Sequence, residues 1–291
     1  MINKEQKEKI AKAIKDNLKN YDSQTKMAVV LGIDKAVLSR ILKGETEQVL
    51  SDGNWFSIAR KLEVQFREQI EWKTVETDVF KFINFQLIFC KENSTSAVLC
   101  DIADIGKSYT AKHFQKANKN VVYIDCSQYK SKQKLVQKIA QEFGLASSSR
   151  YSDVYDDLIF YIQSTEKPLV ILDEAGDLEY SAFLELKALW NATEYNCGWY
   201  MLGADGLREI IEKNIGRKKV GYTEIFSRFG QRFQKISPAG GPDLEDFKNT
   251  QIAQIAKANK SDINVKQVVA AVNGSLRRVR VEIQKIVIQK S

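Results

Sequence analysis

Val98-Leu-Cys-Asp-Ile-Ala-Asp-Ile-Gly-Lys-Ser108 is the stretch on which the fold turns. An apolar run, Ala97 to Cys100, leads into a loop; Gly106-Lys107-Ser108 ends the loop, and a helical stretch starts near Tyr109. Strand, loop and helix in that order form a phosphate-binding loop, with the free N–H groups of a helix N-terminus facing an anion. In this pattern Lys107 reaches the β- and γ-phosphates and the Ser108 hydroxyl sits on Mg²⁺. The nucleotide-contacting set on this stretch is Asp101, Ile105, Gly106, Lys107, Ser108 and Tyr109. The motif G-x-x-x-x-G-K-S/T asks for glycine at 101, where this chain has Asp101. An acid there adds negative charge near the phosphates and restricts the backbone, so Asp101→Gly is expected to tighten ATP binding.

About 70 residues on, Pro168-Leu-Val-Ile-Leu-Asp-Glu-Ala175 gives a buried strand ending in two adjacent acids. Such acids must be solvated, paired or bound to metal. Asp173 is expected to hold Mg²⁺ and Glu174 to polarise an attacking water, the Walker B arrangement. Around these motifs, Asn120-Val-Val-Tyr-Ile-Asp125 and Gly198-Trp-Tyr-Met-Leu-Gly203 read as strands. Lys134–Phe143, Val154–Ile162 and Phe183–Trp190 read as helices. Asp205 is the nearest polar residue to the end of the later strand. Arg208–Lys219 is basic and polar, and Arg217, Lys218 and Lys219 suit either a solvated loop or a contact with DNA phosphates. Ile225–Phe233 is expected to be a helix carrying Arg228 and Arg232 four apart, before a last strand at Phe233–Ile236. The plain alternative for these arginines is surface ion pairing.

The chain has 291 residues, 44% hydrophobic and 28% charged, with net charge +7. The excess is uneven: residues 1–43 hold ten Lys/Arg against five Asp/Glu, and residues 277–291 hold five against one. Basic ends favour a polyanionic partner, nucleic acid before membrane. No apolar run approaches the ~18 residues of a membrane span, and the N-terminus lacks a signal-peptide core, so a cytoplasmic protein is expected. Cys90, Cys100, Cys126 and Cys197 have no C-x-x-C spacing and read as buried thiols. The single histidine, His113, reads as a helix-face residue.

Near the start, Ile10, Ile14 and Leu18 mark an amphipathic helix. Residues 24–44 then place small Ala28, Gly32, Leu38 and Ile41 at the spacing of a helix-turn-helix, followed by a helix around Trp55–Leu62. This segment resembles the lambda-repressor-like domains. The resemblance implies that Lys35, Ala36, Ser39 and Arg40 face a DNA major groove, with Lys43 near phosphate. A helical bundle serving protein contacts is the alternative. At the other end, Pro238–Asp243 reads as a linker, and Leu244–Lys257, Val265–Val272 and Leu276–Ile288 as helices.

In sum, the motifs order the chain as a helix-turn-helix domain at 1–66, a linker at 67–81, an α/β P-loop core of parallel sheet and flanking helices at 82–237, and a small helical lid at 238–291. Trp72-Lys-Thr-Val-Glu-Thr77, the P-loop, Leu172-Asp-Glu-Ala175, Phe226-Ser-Arg-Phe-Gly-Gln-Arg232 and Gly274-Ser-Leu-Arg-Arg278 follow in turn. The whole resembles the AAA+ transposition regulators, most of all their Mu B-like members. That resemblance implies an ATPase using ATP and Mg²⁺ that forms a homo-oligomer, filament or ring, on double-stranded DNA, selects target sites and activates a transposase. It also implies an arginine finger, Arg228 or Arg232, reaching a neighbour's γ-phosphate, and a lid arginine, Arg277, on the nucleotide. Two other uses of the same modules stand beside it: an ATP-binding transcription regulator, and a DNA-bound scaffold with little hydrolysis.

Overall fold

The computed structural model describes residues 2–64, 66, 72–147 and 150–290. The expected linker at 67–81 therefore lies outside the described residues over 67–71.

The N-terminal helices are α1 (Lys4–Asn17), α2 (Gln24–Leu31), α3 (Lys35–Leu42) and α4 (Asp52–Lys61). All four begin on short polar caps that satisfy a free N–H, with Asn3, Ser23, Asp34 and Ser51 accepting from Gln6, Lys26, Ala36 and Asn54. Gly32 closes α2 at φ 72°, and its N–H returns to Ala28 and Val29. Ile10, Ile14, Met27, Leu31, Leu38, Ile41, Trp55 and Ile58 make one core.

The core of the chain starts earlier than the periodicity indicates. Helix α5 (Asp78–Asn93) begins inside the stretch read as linker, on a Thr77 cap. Five parallel strands follow: β1 (Ser96–Cys100), β2 (Val121–Asp125), β3 (Leu169–Asp173), β4 (Gly198–Gly203) and β5 (Phe233–Gln234), in spatial order β2-β3-β4-β1-β5. Strands buried on both faces read as continuous apolar runs, as β3 and β4 do. On one face lie α5 and α6 (Lys107–Ala117), packed on Leu99, Leu169, Ile171 and Leu202. The other face is covered by α7 (Lys132–Glu142), α8 (Tyr151–Ser164) and α9 (Tyr180–Ala192).

Residues 205–216 form helix α10 (Asp205–Gly216), anchored to the core by Leu207 and Ile211, and Arg217, Lys218 and Lys219 follow its end. Two expectations need correcting. Helix α11 (Tyr222–Arg228) stops at Arg228, since Gly230 (φ 86°) and Gln231 (φ 53°) turn the chain out of it. Arg228 and Arg232 thus do not share a helix. The stretch read as a linker at 238–243 already contains the start of α12 (Gly241–Asn259), with Pro242 in the first turn where a missing N–H costs nothing. Helices α13 (Val265–Val272) and α14 (Leu276–Lys290) complete a three-helix unit around Ile252, Val268, Val272, Val279 and Ile283. All four cysteines are buried and free. His113 lies on α6 between the Phe80 and Tyr109 rings.

Candidate nucleotide site

Ligands of open parallel sheets bind beyond the carboxyl ends of the strands. Here β1 ends in the loop 101–106 and β3 ends in Asp173-Glu174, with β4 between them. Gly106 caps α6 at φ 98°, a left-handed conformation glycine adopts without strain, and a Cβ built there would meet nothing within 4 Å. The N–H groups of Lys107, Ser108 and Tyr109 begin the helix and have no intrahelical acceptor, so they are open to an anion. The first intrahelical bond of the turn is Thr110 N–H to Gly106 O, at 3.0 Å.

Lys107 is buried and folded back into the loop. Its Nζ donates to Asp101 O at 2.7 Å and Ile102 O at 2.6 Å. Desolvation lowers its pKa, opposed by the charges of Asp101, Asp173 and Glu174. A phosphate would give the ammonium an anionic partner in place of two neutral carbonyls.

Asp101 does not face the phosphate position. The carboxylate is wholly buried and accepts from Ile102 N–H (2.8 Å), Ile236 N–H (2.8 Å), Ser237 N–H (2.9 Å) and the Ser237 hydroxyl. It fastens the start of the loop to the segment leaving β5, so the loop is built around the acid. The expectation that glycine would improve this position is reversed.

A second loop acid was missed by sequence reasoning. Asp104 accepts from the Ser275 hydroxyl at 2.6 Å and from Arg277 N–H at 3.2 Å, at the first turn of α14. It satisfies one N-terminal N–H of that helix, that of Arg277, and places negative charge at the positive end of its dipole. Arg277 Nε lies 3.6 Å from the same carboxylate, and its side chain is 82% exposed. The lid is thereby brought to the loop with Arg277 beside it.

The other predicted residues divide clearly. Ile105 is buried in the α5–α6 core, so only its backbone is available to a ligand. Tyr109 is exposed and its hydroxyl pairs with Thr74 Oγ at 2.6 Å. Asp173 is buried: Oδ1 accepts from Glu174 N–H at 3.0 Å and Oδ2 from the Tyr123 hydroxyl at 2.6 Å. Glu174 takes φ 50° and is exposed, with its pKa raised by desolvation and then by Asp173. Burial, then the Asp173 charge, pushes the Tyr123 phenol strongly upward, so it stays a donor.

Among the described residues no lysine or arginine forms an ion pair with Asp173. A buried carboxylate without a cationic partner suits a metal ion. The described residues contain no cluster of three or more His, Cys, Asp or Glu able to cage one. The fit is therefore to a cation that arrives with phosphates and takes one or two protein oxygens, as Mg²⁺ does.

Residues 91–211 match the family model described as AAA domain. The chain resembles the B transposition proteins of Mu-like phages. It is 23% identical over 264 residues to the Mu-like prophage FluMu DNA transposition protein B of Haemophilus influenzae, covering 88% of each chain. It is 24% identical over 208 residues to the ATP-dependent target DNA activator B of Escherichia phage Mu and of Escherichia phage D108, covering 70% of this chain and 62% of each relative. Among solved structures, the Aeropyrum pernix ORC1 protein, described in complex with DNA, shares the fold. Its TM-score is 0.52 at 14% identity, covering 74% of this chain and 61% of that one. No helix among the described residues is long and apolar enough to cross a membrane.

Outside residues 91–211, Lys35, Arg40 and Lys43 are exposed on or beside α3, while Ser39 is half-buried. Arg40 Nε pairs with Glu45 at 2.7 Å. Arg217, Lys218 and Lys219 follow α10 and are exposed; Lys219 Nζ lies 3.9 Å from the centre of the Tyr180 ring. Arg228 is held within the chain, donating to Asn191 Oδ1 at 2.6 Å and Glu224 O at 2.9 Å beside Trp190. Arg232 is exposed.

Proposed function

We propose that this protein is an ATP-dependent, double-stranded-DNA-binding AAA+ ATPase that assembles on DNA, selects transposition target sites and activates a partner transposase. The observation that carries the reading is the meeting of the α6 N-terminus and Lys107, after β1, with the buried Asp173 at the end of β3, with β4 between the two strands. The names of the similar phage proteins support the choice of process.

In this reading the α6 N–H groups and Lys107 bind the phosphates, and Ser108 with Asp173 holds Mg²⁺, which when bound neutralises phosphate charge. Glu174, exposed and raised in pKa, takes the proton of the attacking water. Arg277, brought to the loop by Asp104, contacts the nucleotide from the lid. The finger assignment moves toward Arg232. Arg228 already has in-chain acceptors, so reaching a neighbour would first break them, whereas Arg232 is exposed beyond the helix end. Helices α2 and α3 act as a helix-turn-helix, with Lys35, Ser39, Arg40 and Lys43 toward DNA, and Arg217, Lys218 and Lys219 form a second phosphate contact. Arg40 gives up Glu45 for phosphate when DNA is bound. With no strongly specific contact set beyond one short helix, binding spreads over arbitrary sequence and weakens steeply with salt.

Phosphate release by wild type and Glu174→Gln, each with and without duplex DNA, tests the enzyme. Release that is DNA-stimulated in wild type and lost in the variant supports it; equal background release in both leaves a DNA-bound scaffold.

A further inference from the structure

β2 pairs with β3 so that Tyr123 stands opposite Ile171 and Asp125 opposite Asp173. Side chains alternate along each strand, so Tyr123 and Asp173 share the face that α6 covers, two positions apart along the ladder. A tyrosine is long enough to span that diagonal. Its hydroxyl reaches Asp173 Oδ2 at 2.6 Å, while the backbone N–H of Glu174 holds Oδ1 at 3.0 Å. The ring is fixed from above: Lys112 Nζ of α6 sits 5.3 Å from its centre.

Each oxygen of Asp173 therefore has one donor from the chain and keeps lone-pair capacity for something else. Without the phenol, Oδ2 would lose its one described donor, and the carboxylate would be held only through Oδ1. A ligating carboxylate is oriented by such outer partners, and their loss weakens metal binding without touching the metal directly.

We propose that Tyr123 is a positioning residue that sets the hold of Asp173 on the nucleotide's divalent cation. The inference rests on the nucleotide-site reading above and adds to it a residue that lies outside both motifs. Binding of ATP in the absence of divalent cation runs through the loop and Lys107, and does not depend on Tyr123. Binding in the presence of Mg²⁺ does.

The test is binding of a fluorescent ATP analogue to the full chain, titrated with Mg²⁺ from a chelated start, for wild type, Tyr123→Phe, Asp173→Asn and the double variant. The Phe variant keeps the ring and the Lys112 contact. The expected result is a Mg²⁺ midpoint raised about 10-fold in Tyr123→Phe, with unchanged affinity in chelator. In the Asp173→Asn background the second substitution should add almost nothing. An unchanged midpoint in Tyr123→Phe overturns the proposal, as does an equal loss of affinity with and without Mg²⁺, which would mark a purely structural role. If wild type itself binds no nucleotide, the nucleotide-site reading falls and this inference with it. Those outcomes are distinct.

Discussion

Replacing Asp101 by glycine restores the usual P-loop motif and, in this structure, should damage the protein. The carboxylate takes four hydrogen bonds in a fully buried position, three of them from Ile236 and Ser237 across 135 or 136 residues of chain. Glycine leaves the Ile236 and Ser237 N–H groups without an acceptor, whereas the Ser237 hydroxyl can turn elsewhere. A stranded buried donor costs about 1–3 kcal/mol, and glycine adds roughly 0.5–1 kcal/mol of unfolded-state entropy. Water entering the vacated space offsets part of this, leaving about 3 kcal/mol. For a domain of 150–250 residues that corresponds to a fall in Tm of about 6–12 °C. Asn keeps one carbonyl oxygen and loses the charge, so it should fall between. ATP affinity should also drop, because the carbonyls of Asp101 and Ile102 that hold Lys107 lose their anchor. Thermal unfolding followed by fluorescence, with ATP-analogue binding on the same samples, checks both. Asp101→Gly with an unchanged Tm and equal or tighter ATP binding would refute the reasoning.

Glu174 has its pKa raised by desolvation and then by Asp173. A base works ionised, so phosphate release should rise with pH through that elevated value. The ionised form opposes folding, and this penalty fades as pH falls through the folded-state pKa; an acid limb of the pH–rate profile at an ordinary glutamate value, about 4.3, would contradict it. Asp104→Ala and Ser275→Ala remove one shared contact, so each should weaken ATP binding several-fold and the double variant little more than either. Additive losses on a double-mutant cycle would separate the two residues. For the finger, Arg232→Ala should bind ATP normally and hydrolyse it poorly, and mixing it with Glu174→Gln subunits should restore turnover at mixed interfaces. No recovery across mixing ratios would count against Arg232.

Much of the site was legible because phosphate and metal chemistry is written locally. Gly106-Lys107-Ser108 and Asp173-Glu174 sit at strand ends that four or five apolar residues announce. What escaped was of two kinds. Helix α5 is apolar almost all round: Val79, Ile83 and Leu87 are buried, while Phe85, Ile88 and Phe89 are exposed. Its period is therefore blurred, and its start was read as linker. In α11 the signal is present, in Gly230 as a helix stop, but the four-residue spacing of the arginines outweighs it. The second kind is long-range. Asp101 with Ser237, Asp104 with Ser275, and Tyr123 with Asp173 are 136, 171 and 50 residues apart. No local pattern encodes those pairings; they exist only once strand order and lid placement are set.

The central claim couples the nucleotide site to DNA. Its most direct test is equilibrium binding of the full chain to long duplex DNA of arbitrary sequence, by anisotropy with electron microscopy of the same samples. Wild type and Lys107→Ala should each be measured with ATP and Mg²⁺ and without nucleotide. The account predicts tight, cooperative binding with extended assemblies for wild type with ATP only, and neither for Lys107→Ala. DNA binding of equal strength in all four samples, with no assembly beyond discrete monomers or dimers, would contradict it.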